Sequence, residues 1–142
     1  MEEVARKEDN LVIFDLMEES IFNSVKLSLG VPVEYEHFDQ QIALHLNTVM
    51  AILPQLGVGP KEGFYVQDDQ TTWGDLIGDT ELVNKLLYVK SYVCLRVRLL
   101  FDPPASSGAI DAMERQMREL EWRITVTKDP IVGEEDDEIE RE

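Results

Sequence analysis

Asp79-Thr-Glu-Leu-Val-Asn-Lys-Leu-Leu-Tyr-Val-Lys-Ser-Tyr-Val-Cys-Leu-Arg-Val-Arg-Leu-Leu-Phe-Asp-Pro-Pro104 is the stretch whose periodicity decides the fold. Leu82, Leu86, Val89, Val93, Val97 and Leu100 recur at spacings of three and four, which places them on one face of a helix. Leu87, Cys94 and Leu95 widen that stripe, so much of this helix's surface is predicted to be buried. Asp79 is the expected cap, and Glu81 faces the positive end of the helix dipole. Lys90, Arg96 and Arg98 bring positive charge to the C-terminal half, where the dipole favours it. Asp102-Pro103-Pro104 then stops the helix, because proline lacks the amide donor and restricts its predecessor.

Toward the C-terminus, Ser106 or Ser107 caps a further helix. Its Ile110, Met113, Met117, Leu120 and Ile124 alternate spacings of three and four in a two-heptad seam. Glu114 with Arg118, and Glu119 with Arg123, are four-apart pairs in the favourable order. The β-branched stretch Ile124-Thr-Val-Thr127 leaves this helix as an extended arm.

Toward the N-terminus, Thr72-Trp73-Gly74-Asp75 has the form of a capping box with Asp in place of Glu, opening a short turn before Gly78. Gly57-Val-Gly-Pro-Lys-Glu-Gly63 is turn chemistry. Phe64-Tyr65-Val66, with Thr71-Thr72 as the return, predicts at most a small hairpin. Asp39 starts a helix with core positions Ile42, Leu46, Val49, Met50 and Leu53, ended by Pro54 and Gly57. Ser20 caps another, with Ile21, Phe22, Val25 and Leu29 on one face and Gly30-Val31-Pro32 as its stop. The apolar run Leu11–Leu16 fits either strand or helix.

The fold class predicted is all-α: a small four-helix domain with helices near 20–30, 39–54, 79–101 and 107–124. Leu46, Val49, Leu86, Val93, Val97, Met113, Met117 and Leu120 are its expected core.

The chain has 142 residues, which fits one domain able to bury a real core. Against 29 Asp and Glu stand 13 Lys and Arg, a net charge of −16. That balance excludes a basic reader of nucleic acid, which needs a Lys/Arg surface to neutralise phosphates. The single cysteine, Cys94, excludes an internal disulfide and fits a reducing compartment. No apolar run approaches the roughly 20 residues of a membrane span. The start Met1-Glu2-Glu3-Val4 is acidic, unlike a signal peptide.

The charge is concentrated at the ends. Residues 1–19 hold seven acids and two bases, and residues 128–142 hold eight acids and two bases. The expected organisation is therefore an acidic N-terminal extension at 1–19, a helical domain at 20–127 and an acidic tail at 128–142. Such a tail is either a solvated block that aids solubility or an arm that docks on a partner.

The residues of catalysis are sparse. The only histidines are His37 and His45, the first in a loop and the second beside the Ile42–Leu53 stripe. Glu34, Glu36 and His37 lack a second ligand cluster, so no metal site is expected. Cys94 falls within the most apolar helix and reads as a small buried hydrophobe. Residues 57–63 match neither a P-loop nor a dinucleotide fingerprint, and Asp68-Asp69 lacks the frame of a calcium loop. Neither an enzymatic activity nor a cofactor is expected. Association is better represented. Trp73, Phe101 and Trp122 stand at element ends, where they either close a small core or anchor a neighbouring protein. In the tail, Ile131, Val132 and Ile139 are the candidate apolar contacts.

Val97-Arg98-Leu99-Leu100-Phe101-Asp102-Pro103-Pro104 and Glu119-Leu120-Glu121-Trp122-Arg123 resemble segments of small virion-assembly proteins of tailed bacteriophages and prophages, mainly of Gram-positive hosts. Ser24–Gly30, Glu34-Tyr35-Glu36-His37-Phe38-Asp39 and Gln55–Pro60 extend the likeness to the head–tail connector, or adaptor, family over about residues 20–127. The resemblance implies a mainly helical, non-enzymatic subunit of a twelve-fold ring under the portal protein. It implies a neck protein at the head–tail junction of the virion, made in the host cytoplasm, that continues the DNA channel and lets DNA pass without specific binding. It also implies terminal extensions that reach the portal or the next head–tail or tail-completion ring. No membrane partner is expected. The rival reading is an acidic prophage-encoded regulator or DNA mimic that occupies a basic host factor; concentration of charge at the ends disfavours it, since a mimic needs a spaced array on a rigid face.

Overall fold

The computed structural model describes residues 16–78 and 81–126. These contain six α-helices: α1 (Leu16–Glu18), α2 (Ile21–Ser28), α3 (Asp39–Met50), α4 (Trp73–Ile77), α5 (Leu86–Phe101) and α6 (Ser107–Thr125), with 3₁₀ turns at Leu53–Leu56 and Glu81–Lys85. The all-α expectation holds, and among the described residues there is no sheet. Helix α5 is central. Helix α6 packs on it and on the 3₁₀ turn 53–56, while α2 and α3 pack on each other and on α5.

Three of the caps read from the sequence are formed. Ser20 Oγ accepts the Asn23 amide at 3.1 Å. Thr72 and Asp75 make the reciprocal box at 3.0 and 3.1 Å. Of the two candidates for α6, Ser106 caps it, accepting from the Ala109 amide at 3.1 Å. Gly57 ends the 3₁₀ turn at φ 81°, a left-handed conformation open to glycine at little cost.

Two helix boundaries need correction. The helix placed at 79–101 is a 3₁₀ turn followed by α-helix from Leu86. Lys85 stands at that junction with its ammonium drawn to the carbonyls of Ile124 and Val126 at the end of α6. The expected cap Asp79 lies outside the described residues. The helix placed at 39–54 stops at Met50, and Pro54 sits early in the 3₁₀ turn, where its missing amide costs nothing. The hairpin does not form. The Asn47 side chain takes both backbone groups of Val66, at 2.8 and 2.9 Å, so the amide stands in for a strand partner. One isolated antiparallel bridge, Ser20 to Thr72, remains.

Leu46, Val49, Leu86, Val93, Val97 and Leu120 are buried as expected, but Met113 and Met117 are only half-buried. Met117 packs against the core from its edge. The folded body also begins before Ser20. Helix α1 packs on α4, where the Gly74 α-carbon faces the Met17 carbonyl so closely that a Cβ would lie 2.8 Å from it.

Candidate assembly surfaces

Three side-chain arrangements give this body its surface character. The first starts from Lys26, in α2 between core Val25 and exposed Leu27. Its side chain is 1% exposed, and its ammonium donates to the Val33 carbonyl at 2.8 Å and the Tyr35 carbonyl at 2.7 Å. Asp39 Oδ1, at the start of α3, lies 2.8 Å away and completes the set electrostatically. Two of the ammonium's three protons go to carbonyls, and the Asp39 oxygen, buried and without a hydrogen bond, is held by charge alone. The loop 31–38 is thereby tied down over α2. Beside it opens a groove of about 310 Å³. Phe22, Val33, Ala43 and Val66 give the groove apolar walls, and Glu36, Asp68 and Asp69 stand exposed on its rim.

The second arrangement is the outward face of α6. Arg115, Arg118 and Trp122 are spaced three and four apart and all exposed, opposite the buried Leu120 and Ile124. Trp122 keeps 49% of its surface in solvent. Arg123 lies between the Tyr88 and Trp122 rings, 5.9 and 5.8 Å from their centres, and pairs with Glu119 at 3.0 Å. That carboxylate's hydrogen bond pushes the Arg123 pKa up.

The third is internal. Tyr92 of α5 donates its hydroxyl proton to Glu121 of α6 at 2.8 Å, and Arg96 donates to both. Burial, then the Glu121 hydrogen bond, pushes the Tyr92 pKa up to about 12. This polar bridge fixes α6 against α5, and so fixes where its outer face points.

The residues singled out from sequence are not gathered in one place. Trp73 is 0% exposed and closes the core, its indole N–H donating to Ser24 Oγ at 3.1 Å, so it offers no surface to a neighbour. Phe101 is half-buried against Phe38, ring centres 5.5 Å apart, and near His45. Trp122 is at the surface. Ile131, Val132 and Ile139 lie outside the described residues. His37 stacks edge-on with Phe38, and burial pushes the Cys94 thiol pKa up. Among the described residues no cluster of His, Cys, Asp and Glu is arranged to hold a metal. Sequence reasoning passed over Lys26. Its one cue was a lysine directly after a core valine in a short amphipathic helix, followed by an acid at the next helix start.

A compact helical body that presents an aromatic–arginine stripe and an acid-rimmed groove has the surface of a protein that works by association. The chain matches the family model for phage connector proteins over residues 21–130, and it belongs to that family of head–tail connectors. It is thus a structural connector protein of a bacteriophage. No curated protein and no solved structure matches it. Among the described residues no helix is long and apolar enough to cross a membrane.

Proposed function

We propose that this protein is one subunit of a ring, twelve copies in the form that the resemblance implies, seated under the portal protein and continuing the DNA channel toward the tail. The match to the connector family over residues 21–130 carries this reading. The chemistry suits it. A net charge of −16 repels phosphate, so DNA can pass such a ring without being held. A closed ring needs two different faces on each subunit, meeting head to tail. The acidic ends, 1–19 and 128–142, serve in this reading as arms toward the portal and the next ring of the neck. The subunit acts by position and shape, with no catalytic step.

The test is the mass of the purified protein alone and with its portal protein, by native mass spectrometry. A ring-sized species, or a fixed multiple of this chain on each portal, supports the reading. A monomer that ignores the portal overturns it.

A further inference from the structure

We propose that the Arg115–Arg118–Trp122 stripe of one copy docks into the groove between α2, α3 and residues 66–69 of the next copy. This deepens the ring reading and rests on it. Two observations join the faces. They lie on different elements: the stripe on the outer side of α6, and the groove on α2 and α3, which pack on α5, and on the 66–69 loop, which Asn47 of α3 holds at Val66. A contact between them is therefore heterologous and repeats from copy to copy. They are also opposite in charge. Arg115 and Arg118 have no ion pair among the described residues, and neither have Glu36, Asp68 and Asp69 on the groove rim. In a chain with so large an acidic excess, copies repel unless exposed arginines meet carboxylates.

The parts have distinct roles. Trp122 loses its half-exposed indole surface against Phe22, Val33, Ala43 and Val66, and this supplies affinity. The two arginines facing Glu36, Asp68 and Asp69 set register and orientation, as charges at a rim do. Asp111, one turn before Arg115, ends the cationic part of the stripe and orients it along the groove. Lys26 does not compete for the arginines' partners. Its ammonium is already committed to Val33, Tyr35 and Asp39, so the groove wall is set before the neighbour arrives.

The experiment uses the full chain and its assembly mass by native mass spectrometry, with portal protein added where assembly requires it. Three variants are compared with wild type: R115E/R118E, D68R/D69R and the four-fold combination. All four positions are exposed, and thermal melts confirm that each variant folds. The expected result is that each double variant loses the ring-sized species and that the combination regains it. Tryptophan emission of the wild type should shift to the blue on assembly, and W122A should lose that species. If wild type forms the ring and the double variants form it equally well, this pairing is overturned while the ring reading stands. If both doubles fall to monomer and the combination does not recover, each face matters but they do not meet, which also overturns the pairing. If wild type never assembles, the ring reading fails and takes this one with it.

Discussion

The Lys26 ammonium, on a side chain 1% exposed, lies 2.8 Å from Oδ1 of an Asp39 side chain that is still 32% exposed. The pair is lopsided: the cation is sealed and the anion reaches solvent. Removing the cation also strips two carbonyls of their donor and is the harsher change. Lys26→Met should cost about 2–3 kcal/mol, because the Val33 and Tyr35 carbonyls lose their donor in a closed site. Asp39→Asn should cost about 1 kcal/mol, since the ammonium keeps two acceptors and Asp39 is partly screened. Urea unfolding of the two variants measures the order, and equal costs would refute the lopsided account.

Asn47→Ala tests the amide that replaces a strand. It deletes two hydrogen bonds to Val66, whose side chain is buried, so a loss of about 2 kcal/mol is expected. Amide exchange at Val66 should speed up more than at α5 residues. Unchanged protection at Val66 would show that the loop is held by something else.

How much of this was legible follows from what periodicity can see. Stripes such as Ile42–Leu46–Val49 and Leu86–Val89–Val93–Val97 mark helix and burial together, because an apolar face has few alternatives to the core. Ser20, Ser106 and the Thr72–Asp75 box are local chemistry and were readable for the same reason. Met113 and Met117 carry the same periodic pattern as Leu120, yet both keep part of their surface in solvent. A stripe cannot say whether its partner is in the same chain. Lys26 and Asn47 were out of reach because their partners, Tyr35 and Val66, are chosen by tertiary packing. Trp73 and Trp122 are alike as residues at element ends, and only the fold separates the core tryptophan from the exposed one.

Tyr92 gives the fold an alkaline sensitivity. Its pKa is pushed up to about 12 in the folded state, against 10.0 for the ordinary phenol. The neutral phenol is thus favoured by folding. Stability from this group is whole below pH 10 and falls as pH rises toward 12, since the unfolded chain releases the proton first. The loss approaches about 2–3 kcal/mol at full ionisation, two pH units at roughly 1.4 kcal/mol each. Tyr92→Phe should be less stable than wild type at pH 8 and should show a shallower decline between pH 10 and 12. Parallel declines would remove Tyr92 as the cause.

Around Trp73 one substitution removes volume and another adds it. Trp73→Ala empties a fully buried site and should cost about 3–5 kcal/mol. Gly74→Ala instead drives a methyl into the Met17 carbonyl, 2.8 Å from the ideal Cβ position, and should displace α1 while leaving α5 and α6 in place. Limited proteolysis near residues 16–19 reports that displacement. An α1 no more accessible than in wild type would mean that the backbone shifts to absorb the methyl.

Removing 128–142 is the test of the C-terminal arm. Val126 follows α6 in an extended conformation, and the Lys85 ammonium holds its carbonyl. Beyond it lie eight acids, two bases and the apolar Ile131, Val132 and Ile139. We expect these three to make the apolar contacts and the carboxylates to face basic residues of another virion protein. Ordering such a segment costs roughly 1–2 kcal/mol per residue, and self-repulsion adds to it, so a partner must supply both kinds of contact. Truncation should therefore leave the melting point almost unchanged and weaken capture by the portal or a neighbouring neck protein. Binding of the full chain should fall at high salt, because screening weakens an acidic arm's attraction, and the truncated chain should lose much of that salt dependence. Truncated protein incorporated into virions at wild-type occupancy would leave the tail with only a solubilising role.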